Sequence, residues 1–121
     1  MTIDELDSSI KKVNEYLQKN QLANAGALLD SIAKKSPNNV DILNLTGVLN
    51  LKAGDYENAI CAFKKYLLSY PENVFVLNNL AVAYQKAENF TEAKSALKKA
   101  IKLDNNYVNS YMNLLMLNHD L

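Results

Sequence analysis

The sequence predicts an all-α chain, a solenoid of about three and a half stacked helical hairpins. Three observations point to it. Residue types recur at a period of 34 along most of the chain. Within each period, apolar residues fall three and four positions apart, as on the buried face of an amphipathic helix. Short polar breaks (AGDYEN, then AENFTE) and the prolines Pro37 and Pro71 interrupt the periodic stretches. No segment alternates like a strand, and no low-complexity tract divides the chain.

A fixed period is best tested column by column. Pro37 and Pro71 lie 34 residues apart, and the next step lands on Asn105. Ala25, Ala59 and Ala93 keep the spacing, as do Leu29, Phe63 and Leu97. So do Leu22, Tyr56 and Phe90, and so do Ile32, Tyr66 and Ala100. Gly47 matches Ala81 one period later and Val13 one period earlier. The small residues carry the most information. Two antiparallel helices approach closely only where neither has a bulky side chain, so Gly47/Ala81 and Ala59/Ala93 mark the contact inside each hairpin.

Taken in order, the predicted helices cover 3–19, 22–35, 39–52, 56–69, 73–86, 90–103 and 107–118. Pro37 and Pro71 end the second helix of their hairpins, because proline breaks the helix before it and can open the next. Gly54 suits the turn inside the second hairpin, and Asn20 and Glu88 take its place in the neighbours with less backbone freedom. The repeats are expected at 6–39, 40–73 and 74–107, with a partial fourth unit at 108–121, all in one domain.

Composition narrows the function. Hydrophobic residues make up 49% and charged residues 21% of the 121, which is ordinary for a folded protein. Thirteen basic residues, all lysine, balance thirteen acidic ones. That balance lacks the basic footprint of a nucleic-acid binder. No apolar run approaches the ~20 residues of a membrane span, and the acidic start MTIDELDSSIKK is not a secretory signal. With one cysteine, Cys61, an internal disulfide is ruled out. Neither nucleic acid nor membrane is expected as a partner, and a cytoplasmic location is expected.

The stretch TGVLNLKAGDYENAICAFKKYLLSYP resembles one unit of the tetratricopeptide repeat (TPR) family, and LNNLAVAYQKAENFTEAKSALKKAIKLD resembles the next. LANAGALLDSIAKKSP keeps the second-helix pattern of the first unit, where Val13 stands at the small position. The resemblance implies a right-handed superhelix whose first helices line a concave groove that binds partners. In that register the groove side carries Asn14, then Asn44 and Val48, then Phe75, Asn78, Val82 and Gln85. Asn79 and Asn113 lie one residue further round. A primary amide donates and accepts at once, so a row of them can hold an extended peptide backbone, with Val48, Phe75 and Val82 as apolar anchors. Asn79-Leu80-Ala81 and Asn113-Leu114 are similar to asparagine-leucine pairs in O-linked N-acetylglucosamine transferase repeats, where inward asparagines grip peptide backbone. Chaperone-binding members clamp a terminal carboxylate with cations and asparagines. The matching positions here are Ile10, Asn14, Leu45, Phe75 and Asn79, so the cations are missing and that role is not expected.

The expected function is therefore a protein-interaction scaffold that takes a protein or peptide ligand in its groove. Two alternatives stand beside it. One is a recruiting module of a larger glycosyltransferase or methyltransferase, since LNLTGVL and LNNLAVAY resemble repeats ahead of such domains. The other is a self-assembly module, a homodimer through the C-terminal helix. In that helix Tyr111, Leu114 and Leu115 are expected to cover the third hairpin, leaving Met112, Met116 and Leu117 uncovered. No catalytic residue, metal ligand or cofactor is expected. His119 is the single histidine, and Cys61 reads as a small packing residue.

Overall fold

A computed structural model of the chain describes residues 2–37 and 39–120, with side chains described as far as Leu117. Among the described residues the fold is all-α. Seven helices follow one another: α1 (Ile3–Gln18), α2 (Leu22–Lys35), α3 (Val40–Ala53), α4 (Tyr56–Ser69), α5 (Val74–Lys86), α6 (Phe90–Leu103) and α7 (Val108–Asp120). Every boundary falls within two residues of its predicted place. His119 lies outside the described side chains.

Local chemistry explains the ends. Thr2 caps α1 by accepting from the Glu5 amide at 3.1 Å. One repeat apart, Asn39 and Asn73 cap α3 and α5, accepting from the amides of Asp41 at 2.9 Å and Val76 at 3.1 Å. Part of the chain's wealth of asparagine is thus spent on caps. The three hairpin turns share one backbone form. Asn20, Gly54 and Glu88 have φ of 57°, 84° and 64°. After each, an amide (Gln21, Asp55, Asn89) donates 2.8 Å back to the carbonyl of Tyr16, Asn50 or Tyr84. This is the left-handed helix stop that glycine favours and asparagine tolerates. Glu88 gains nothing comparable there. At the outer turns α2 and α4 stop at Lys35 and Ser69, because the residue before a proline avoids helical geometry.

Backbones of the first helices of successive hairpins approach one another closely, α1 with α3, α3 with α5 and α5 with α7, whereas among the described residues those of successive second helices stay further apart. The stack therefore curves with its first helices on the inside. Its core is three linked clusters. Val48 packs against both the first and the second, and Tyr84 against both the second and the third.

The contact inside each hairpin is a match of volumes. A Cβ on Gly47 would come within 2.7 Å of three atoms of the Phe63 ring. In the third hairpin the pair in these columns is Ala81 and Leu97, and in the first it is Val13 and Leu29, all four buried. The largest partner faces the smallest residue.

In α7 the phase differs from expectation. Ser110 and Leu117 are fully buried, and Leu117 joins Ala81, Ala93, Ala96 and Leu97 in the third cluster. Leu115 is 68% and Tyr111 40% exposed, so neither covers the third hairpin. Cys61 also departs from its expected packing role, being exposed on the outer face of α4.

Two stability effects follow. Gly47→Ala is expected to cost about 1–3 kcal/mol through overpacking. Adding Phe63→Leu, which recreates the Ala81–Leu97 pair, should restore much of that in thermal unfolding. Glu88→Gly relieves a left-handed residue and should stabilise the chain by about 0.5–1 kcal/mol. Unfolding midpoints in urea would show it.

Candidate functional surface

The inner surface is built by α1, α3, α5 and α7. Positions four and seven apart on α5 put Phe75, Asn79, Val82 and Lys86 on one side of that helix. Phe75 and Lys86 are exposed, and Asn79 and Val82 are half-buried. The corresponding residues on α1 include Asn14, which is exposed, and those on α7 include Asn113, which is half-buried. Phe75 has 66% of its surface open to solvent. Its ring meets that of Tyr107 edge-on, with centroids 5.1 Å apart and planes at 70°, a favoured aromatic geometry. The Asn109 side-chain amide donates to the Tyr107 hydroxyl at 3.1 Å. The result is an aromatic shelf where α5 meets the start of α7.

The remaining predicted residues are less available. Val48 is half-buried because it joins two core clusters. Gln85 is half-buried and already engaged in an interaction within the chain. Asn44 is half-buried, and its Oδ1 is buried without a hydrogen-bond partner among the described residues.

Asn78 is corrected outright. It is 4% exposed and does not present its amide on the groove. Its Nδ2 donates to the Val74 carbonyl at 3.0 Å and to Ser110 Oγ at 2.8 Å. It therefore pins α7 to α5 from within. Its Oδ1 is buried and unpaired among the described residues. One repeat earlier the same relation sets Asn44 against Val76, an apolar residue in the Ser110 column.

Two inner-surface residues escaped the sequence reading. Tyr107 occupies the column of the caps Asn39 and Asn73, and an aromatic in a capping column was the available signal. Lys86 follows Val82 by four residues, as Lys52 follows Val48, and both are exposed near the ends of their helices. Cations there are favoured by the helix dipole. With Asp7 and Asp41 exposed near the starts of α1 and α3, most of the charge sits at the two margins, and the floor between is amide and apolar apart from the exposed Lys11 in the Asn79 column of α1. Among the described residues no group of three or more His, Cys, Asp or Glu comes together to hold a metal ion. No described helix is long and apolar enough to cross a membrane.

Family comparison agrees with this architecture. One tetratricopeptide repeat family model matches residues 10–74 and a second matches residues 74–107. No curated protein matches the sequence. Similar solved structures include MamA (41-end) from Desulfovibrio magneticus RS-1, with a TM-score of 0.85 at 19% identity over 95% of this chain. This chain spans 65% of that one. The Sgt2 TPR domain from Aspergillus fumigatus has a TM-score of 0.85 at 18% identity, covering 96% of this chain and 78% of the other. The second TPR domain of human RPAP3, solved with the HSP70 peptide SGPTIEEVD, has a TM-score of 0.80 at 14% identity, covering 92% of each. At such identities the likeness is one of fold.

Because Asn78 works inside the stack, its loss should register as stability rather than as binding. Asn78→Ala is expected to lower unfolding free energy by about 1–3 kcal/mol, since it strands Ser110 in a buried site. Pairing Asn78→Leu with Ser110→Ala removes both polar partners and should be close to neutral. A urea titration of the three proteins would check this.

Proposed function

This chain belongs to the tetratricopeptide repeat family, and we propose that it is a non-catalytic binding module whose inner surface takes an extended peptide segment of a partner protein. The observation that carries the reading is the Phe75–Tyr107 shelf. A phenylalanine left 66% exposed beside half-buried amides is poor for solubility and well placed to anchor an apolar side chain. Asn79 and Asn113 flank it with donors and acceptors suited to peptide backbone. The recruiting role in a larger transferase would use this same surface.

The preferred ligand follows from the charge layout. The floor carries no cation where carboxylate-clamping relatives of the family have them, because Ile10 and Phe75 stand at those positions. A free terminal carboxylate would sit there without a charged partner. The surface instead suits an internal segment with low net charge and one bulky apolar residue.

Peptides selected from a random display library against the wild-type chain provide the test. Phe75→Ala, and separately Asn79→Ala with Asn113→Ala, are expected to weaken a selected peptide by about 5- to 30-fold. Far-UV circular dichroism should be unchanged, as none of the three side chains is fully buried. Equal affinity for wild type and both variants would place binding elsewhere.

A further inference from the structure

Asp7, Asp41 and Phe75 fall in one column, a repeat apart on α1, α3 and α5, and all three are exposed. They form a lane along the start margin of the inner surface, with the Phe75–Tyr107 shelf at one end. The two carboxylates are unequal. Lys11 stands one turn on from Asp7 and is exposed, so it offsets that charge. The same position on α3 is the buried Leu45, and Asp41 makes no ion pair among the described residues. The next cation on α3 is Lys52, eleven residues on and about 16 Å along the helix. That is beyond the ~8–10 Å over which salt screens exposed charges. Asp41 is thus an unpaired negative charge one repeat from the shelf.

The spacing of the lane selects the ligand's backbone. Packed neighbouring helices stand roughly 8–10 Å apart, and the backbones of α3 and α5 approach closely. A polyproline II segment rises ~3.1 Å per residue with three residues per turn, so side chains three apart share a face at a step of about 9 Å. A β-strand returns to one face every second residue, roughly 7 or 13 Å on, and misses the step. A helical ligand reaches about 10 Å after seven residues, but its backbone groups are bonded to one another. Asn79 and Asn113 are half-buried and make no hydrogen bond among the described residues. A helix gives such amides nothing to hold, whereas a polyproline II backbone leaves its groups open to them.

Resting on the groove function proposed for this surface, we propose that the ligand lies along the lane as a polyproline II segment, with a bulky apolar side chain on the Phe75–Tyr107 shelf and a lysine or arginine three positions from it at Asp41. The apolar group fixes position. The cation fixes register, since a shift of one residue turns it away from Asp41. A second cation at six positions, toward Asp7, contributes less because Lys11 stands beside that carboxylate. One required cation keeps the net charge of the segment low. Exposed charge of this kind sets specificity and association rate more than affinity.

Linear random peptides, joined to carrier protein at both ends, are selected against the wild-type chain, and one labelled peptide from the pool is titrated by fluorescence anisotropy. Aligned on its apolar residue, the pool should be rich in lysine or arginine three positions away on one side. Asp41→Asn should weaken the labelled peptide by about 2- to 5-fold, and raised salt should remove the difference. Asp7→Asn should cost less. Replacing the peptide's cation with glutamine should cost the wild-type chain the same factor and Asp41→Asn nothing, which is the coupling a double-mutant cycle reads. Far-UV circular dichroism of the variants keeps folding separate from binding. Phe75-dependent peptides that lack a cation at this spacing, or show no coupling to Asp41, overturn the inference and leave the groove function standing. Cations enriched two or four positions away indicate a strand and seven a helix, and either result overturns it too. Peptides indifferent to Phe75→Ala overturn the groove function and this inference with it.

Discussion

Gly47 lacks a side chain because the Phe63 ring fills the space where a Cβ would stand. That close approach sets the geometry of the central hairpin, and the other hairpins solve the same problem with different volumes. Val13 faces Leu29 and Ala81 faces Leu97, each pair buried. The column of small residues is thus half of a rule. The other half is the residue that packs over it, and the one aromatic partner, Phe63, lies over the one glycine. Once each hairpin is closed tightly, its first helix can lean on the next first helix. Among the described residues the backbones of the second helices stay further apart. The inner surface is a consequence of that asymmetry.

Much of this was legible in the sequence because packing inside a repeat protein is local. Each column meets its neighbours at the same separations in every unit, so a period of 34 reports contacts as well as helices. The left-handed turns at Asn20, Gly54 and Glu88 were legible for the same reason. Cys61 was misread through neglect of its own column, since Ala27 and Ser95, one repeat either side, are exposed too. Asn78 was less accessible. It looks like any inward amide until Ser110, 32 residues on, is seen to receive it. No column predicts that pair, because one repeat earlier Val76 stands where Ser110 does.

The phase of α7 was misread for an instructive physical reason. A first helix in a complete hairpin is buried on two sides, against the preceding unit and under its own second helix. Leu77 and Ala81 belong to the second kind, and their counterparts one repeat on are Tyr111 and Leu115. Val76 and Ala83 belong to the first kind, and their counterparts are Ser110 and Leu117. In α7 the first set is exposed and the second is buried. The last described helix therefore separates two surfaces that α5 buries together.

That separation also divides the labour among the residues. Side chains facing the preceding unit hold the stack, and the Asn78–Ser110 bond belongs with them despite being polar. A buried amide with one unpaired oxygen adds less stability than an apolar pair, yet it fits only one register of α7 against α5. The inner-side residues that stay out of the core, led by Phe75, can serve a ligand without disturbing it. Those lying under a first helix's own second helix form a third set, buried at Leu77 and Ala81 on α5. In α7, Tyr111 and Leu115 stand in those columns and are exposed among the described residues.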